Sequence, residues 1–203
     1  MTNRVHIDVS GLDLPVRADH ERWAQRQVVV SARLPDGSVV PVLNMRNILS
    51  CVLDLTEEHS NWTPGFGFRE AVGVVRDQVQ AMADFFSSCV FPVQVYRGVR
   101  VLPFVNLTDA DVIARAGRHW TPSIGVARAF AEGRHQQAQW RHEAARPVLL
   151  SGRFLEPKDV DWKASGGKYL VWSAPRMGGQ AREDFDREDE LQAWRVVDVQ
   201  VIT

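Results

Sequence analysis

Three places in the second half of the chain combine side chains whose types and spacing suit work on a charged, sugar-bearing ligand. The first is Tyr96-Arg97-Gly98. It lies in an alternating run in which Val93, Val95, Val99 and Val101 share one strand face, and pleating puts Arg97 on that same apolar face. A guanidinium there is costly to desolvate unless an anion pairs with it, and its planar fork suits a phosphate or diphosphate. The alternative is an arginine paired with an internal Asp or Glu, or one that snorkels past a bulge. The second place is His119-Trp120-Thr121. Pro122 follows, then Ile124, Ala127, Phe130 and Ala131 at helical spacing, so Thr121 reads locally as an N-cap and Pro122 as the first helical residue. His119 is either a structural histidine near a strand end or part of a site. The third place is Glu188-Asp189-Glu190, just before Leu191. It reads as a solvated charge run, or as a carboxylate at a strand entrance placed to stabilise a cationic transition state.

Other chemistries lack their motifs. His6, His20, His59, His119, His135 and His142 form no HExxH pair, Cys51 and Cys89 form no CxxC, and no GxGxxG, GxxxxGK[ST] or GxSxG occurs, so no metal site is expected. The charge balance, 24 Lys+Arg against 25 Asp+Glu, gives no basic field for bulk nucleic-acid binding. Both cysteines sit in apolar stretches and read as reduced core residues, which fits a cytoplasmic protein. No signal peptide or membrane span is apparent, although a signal-independent export route would leave no such trace.

The elements that must position these residues follow from periodicity and turn chemistry. Residues 4–9 and 27–43 read as strands, with Pro35-Asp36-Gly37-Ser38 as a hairpin turn. Met45, Ile48, Leu49 and Val52 mark a helix over 44–55. Val72, Val75, Val79, Met82 and Phe86 mark a second, stronger one. A strand over 91–101 follows. Thr108 caps a helix over 109–116 that stops at Gly117, and Thr121-Pro122 opens another that runs to Gly133. Residues 148–155, 169–172 and 191–202 read as strands. Residues 173–189 are rich in Gly and charge without periodicity and read as a long functional or mobile loop.

Together the three places resemble the ADP-ribosyltransferase family, in the branch whose signature is Arg, then Ser-x-Ser/Thr, then Glu-x-Glu. Tyr96-Arg97-Gly98, then His119-Trp120-Thr121 leading into Gly125-Val126-Ala127-Arg128-Ala129-Phe130-Ala131, then Glu188-Asp189-Glu190-Leu191, match it in order and interval over residues 93–203. His119 departs from it, standing where the family has its first Ser.

The resemblance implies an α+β fold with a split, mainly antiparallel sheet and flanking helices in a domain over 44–203, preceded by a β extension over 1–43. It implies NAD as substrate and mono-ADP-ribosyl transfer to a protein or nucleic-acid acceptor, with release of nicotinamide. NAD glycohydrolase, acting as an NAD-depleting toxin, and an inert module that keeps the scaffold are the alternatives. By the same resemblance Arg97 holds a phosphate or ribose and the Gly98 backbone pairs with the nicotinamide amide. His119 and Thr121 brace the ribose, and Trp120 or Phe130 walls the ring. Glu190 stabilises the cation as nicotinamide leaves, Glu188 helps deprotonate the acceptor, and the loop from Ser173 to Arg187 selects the target. Arg97, His119, Thr121 and Glu190 should then face one cleft.

Overall fold

The turn at Pro35-Asp36-Gly37-Ser38 forms as its residues dictate. Gly37 takes φ 85°, and Asp36 Oδ1 accepts from the Ser38 amide at 2.8 Å. In the computed structural model, which describes residues 4–12, 28–61, 63–103, 107–133, 145–172 and 190–202, this turn joins β2 (Val28–Arg33) to β3 (Val39–Asn44). With β1 (His6–Asp8) they make an antiparallel sheet in the order β1-β2-β3. Asn44 ends the sheet and caps the next element, its side chain accepting from the Asn47 amide, so α1 runs over Met45–Ser60 and α2 over Phe68–Ser88. Ile48, Val52 and Leu55 of α1, and Val75, Val79, Met82 and Phe86 of α2, are buried, the apolar stripes expected of both helices.

The described contacts divide the chain into two compact units, residues 1–89 with 162–188 and residues 90–161 with 189–203. The β strands of the N-terminal segment thus group with α1, α2 and a later helix. That later helix is a correction. Residues 169–172, expected as a strand, end α5 (Trp162–Trp172). Tyr169 stacks on Phe85, and a Cβ on Gly166 would meet Val42 Cγ1 at 2.6 Å, so close packing on β3 selects the helix over the β preference of Tyr, Val and Trp.

The second unit carries the three chemical places. β4 (Val93–Val101) pairs antiparallel with β6 (Arg146–Phe154), which pairs with β8 (Val197–Val201). β5 (His119–Trp120) pairs antiparallel with β7 (Leu191–Gln192), and a single bridge from Tyr96 to Thr121 joins the two sheets. The expected strand over 191–202 is therefore two strands in different sheets. It breaks where the Asp159 carbonyl accepts from the amides of Trp194 and Arg195. As expected, Thr108 caps α3 (Asp109–Ala116), and Gly117 at φ 52° ends it.

α4 (Ile124–Ala131) starts later than expected. Thr121 is engaged in the bridge to Tyr96, so Ser123 becomes the N-cap, its hydroxyl accepting from the Val126 amide. Ala127 and Ala131 of α4 pack with Leu149, Tyr96 and Ile202. The fold is thus mixed α and β, with every described strand pair antiparallel. No helix among the described residues is long and apolar enough to cross a membrane.

Candidate functional site

Strand pairing decides which side chains meet. Thr121 bridges Tyr96, and His119 pairs with Gln192, so Thr121, His119 and Gln192 share the sheet face that also carries Tyr96 and Gly98. Glu190, two residues before Gln192, joins them. Its Oε1 accepts from Gln192 Nε2 at 2.7 Å and pairs with His119 Nδ1, and the same amide nitrogen lies 2.7 Å from that ring nitrogen. Glu190 is 7% exposed and Gln192 6%, so a carboxylate is buried here on two side-chain donors, while the His119 side chain is 47% exposed.

Arg97 leaves β4 on the other face, with Val95. Val95 pairs with Gly152, against which Trp120 lies, 3.5 Å from a Cβ position there. The expectation of one cleft face shared by Arg97 and Glu190 is corrected accordingly. Arg97 instead reaches the backbone of His119, whose side chain Glu190 holds. Thr121 exchanges both backbone hydrogen bonds with Tyr96, so by alternation the His119 carbonyl also points toward β4, and Arg97 Nη1 donates to it at 2.8 Å. Gly117 clears the space, since a Cβ there would lie 3.0 Å from Arg97 Nη2. Among the described residues Arg97 Nε is buried without a hydrogen-bond partner. Burial lowers the pKa of this guanidinium, and nearby Glu190 opposes the shift. A half-buried cation with an unmet donor, one residue from a buried carboxylate's partner, is an arrangement that an anionic ligand would complete.

Gly98 sits beside this junction. The backbone of Gly98 points to the same edge as that of Tyr96, and no described strand pairs with that edge at Gly98. Its lack of a side chain has a different cause from the one expected. A Cβ would lie 1.8 Å from the Ala127 carbonyl oxygen and 2.4 Å from the Ala131 amide, so α4 packs directly on the glycine.

Trp120 is also reassigned. It is 1% exposed and its indole N–H donates to the Gly117 carbonyl, which makes it a core residue rather than a wall for a ligand ring. Thr121 is buried, its hydroxyl accepting from the Ser123 amide, and Phe130 is half-buried near the end of α4. Glu188 and the loop from Ser173 to Arg187 lie outside the described residues.

Sequence reading missed Gln192. The signal was present, because strand alternation from Glu190 puts residue 192 on the same face. Beside the site, Arg118 pairs with Asp161 at 2.5 Å and lies over the Trp194 ring, which ties β5 to the chain on either side of β7. Among the described residues no group of three His, Cys, Asp or Glu side chains is placed to hold a metal ion. Compared with family models, curated proteins and solved structures, the chain matches none.

Proposed function

We propose that the second unit binds NAD at the junction of β4, β5 and β7 and transfers ADP-ribose to a macromolecular acceptor, on an ADP-ribosyltransferase-type split sheet. The observation that carries this reading is the buried Glu190 carboxylate, held by His119 and Gln192 and within electrostatic reach of Arg97. The sequence resemblance joins the same three positions, Arg97, His119 and Glu190, although they are far apart in the chain. Arg97 offers positive charge and an unmet Nε–H to the diphosphate or a ribose. The edge of Gly98 that no described strand pairs offers a backbone donor and acceptor, the complement of the nicotinamide carboxamide.

Glu190 supplies negative charge where the ribose C1′ becomes cationic as the glycosidic bond breaks. Because burial and hydrogen bonds fix it beforehand, the carboxylate need not reorganise during the reaction. The bond to nicotinamide breaks with its electron pair going to the ring nitrogen, which loses its positive charge. The acceptor or water bonds to C1′ as nicotinamide leaves.

Incubating the purified chain with NAD, with and without cell lysate, and measuring nicotinamide release and labelled ADP-ribose on macromolecules tests the reading. Release with label transfer supports the transferase, and release without transfer supports a glycohydrolase. Absence of both leaves an inert scaffold and refutes the proposal.

A further inference from the structure

We infer that His119 is the general base that takes the proton from the attacking nucleophile, with Glu190 orienting the ring; this rests on the NAD-cleaving reading of the site. The departure at His119 changes the chemistry available there, since a serine hydroxyl is a poor proton acceptor near neutral pH and an imidazole is a good one. Glu190 meets the ring at Nδ1, and the Gln192 amide nitrogen lies 2.7 Å from both that nitrogen and the carboxylate oxygen. An ionised carboxylate has only lone pairs to offer, so the proton between Glu190 Oε1 and the ring belongs to Nδ1. Gln192 donates to the same oxygen at 2.7 Å and holds the carboxylate to the ring.

Nδ1 is thus the inner nitrogen, against a carboxylate that is 8% exposed, while the side chain as a whole is 47% exposed. Nε2, the nitrogen that Glu190 does not hold, then carries the lone pair. Meanwhile the backbone carbonyl of His119 holds Arg97, so one residue links the cation, the carboxylate and the base.

In the step that follows, the nucleophile's lone pair forms the bond to C1′, and the nicotinamide nitrogen keeps the electrons of the broken bond. The nucleophile's proton passes to His119 Nε2. The resulting imidazolium is paired with Glu190, the same stabilisation that a carboxylate gives a catalytic histidine elsewhere. The resemblance gives the proton-accepting role to Glu188; on this inference it belongs to His119 for a macromolecular acceptor and for water alike.

The test compares His119→Ala and His119→Asn in the full chain, with nicotinamide release as the readout and thermal melting as the check on folding. Asn keeps a donor for Glu190 but cannot accept a proton. His119→Ala and His119→Asn should both lose roughly a hundredfold to ten-thousandfold in rate. Added imidazole should restore part of the rate to His119→Ala, more so with more basic imidazoles. In nitrogen NMR of the wild type, His119 should carry its proton on Nδ1. Activity of His119→Asn within a few-fold of wild type, or a His119→Ala loss that imidazole does not relieve, overturns the base assignment while leaving NAD cleavage standing. A wild-type chain that releases no nicotinamide overturns the NAD reading, and the inference with it.

Discussion

Replacing Gly98 with alanine separates two reasons for a glycine beside the site. The added methyl would stand 1.8 Å from the Ala127 carbonyl oxygen and 2.4 Å from the Ala131 amide, where ordinary contact begins at 3.4 Å. Both are backbone atoms of α4, so no side-chain rotation relieves the clash, and the helix must retreat by about 1.5 Å. Overpacking of a core ordinarily costs about 1–3 kcal/mol, and a contact with rigid backbone belongs at or above the top of that range. The retreat would also pull Ala127 and Ala131 from Leu149 and Tyr96. Urea denaturation should show the second unit destabilised by about 3 kcal/mol, and hydrogen exchange should show α4 losing protection first. A Gly98→Ala protein within about 0.5 kcal/mol of wild type that nevertheless lost NAD binding would refute the packing argument and return the glycine to the ligand.

Three further outcomes are expected. Arg97→Lys keeps the charge but loses the fork and the Nη1 bond to the His119 carbonyl, so calorimetry should show NAD affinity reduced about tenfold or more, whereas unchanged affinity would make Arg97 purely structural. Burial pushes the Cys51 thiol up to about 11, with Asp54 adding to the shift, so at pH 8 only about a thousandth is thiolate; iodoacetamide should leave Cys51 unmodified in the native protein, and rapid labelling there would contradict the burial. His59 is 1% exposed with neither ring nitrogen hydrogen-bonded among the described residues, so His59→Leu should stabilise the first unit by about 1 kcal/mol, and a loss of stability would show that the imidazole has a polar role.

Local chemistry made much of the fold legible. The Pro35–Ser38 turn, the stripes of α1 and α2, and the Thr108 and Gly117 ends of α3 are each decided by residues close in sequence, and each forms where it was expected. The failures fall where distant partners decide. Gly166-Gly167 weakens any helical reading of 162–172, yet Gly166 is what lets the helix lie against Val42. Thr121 has the side chain of an N-cap, but a pairing with Tyr96, 25 positions upstream, engages it and hands the cap to Ser123.

The candidate site divides in the same way. Residue type and spacing singled out Arg97, His119 and Glu190. That Arg97 and Glu190 begin on opposite faces, and that both reach His119, depends on the Tyr96–Thr121 register, which has no local signal.

The most direct test of the central claim is nicotinamide release from NAD by wild-type and Glu190→Gln proteins, with NAD affinity measured in parallel. Gln keeps the size of the side chain and removes the charge that matters most as C1′ becomes cationic. The account therefore predicts affinity within a few-fold of wild type and turnover reduced about a hundredfold or more. Wild-type rates of nicotinamide release from Glu190→Gln would contradict it.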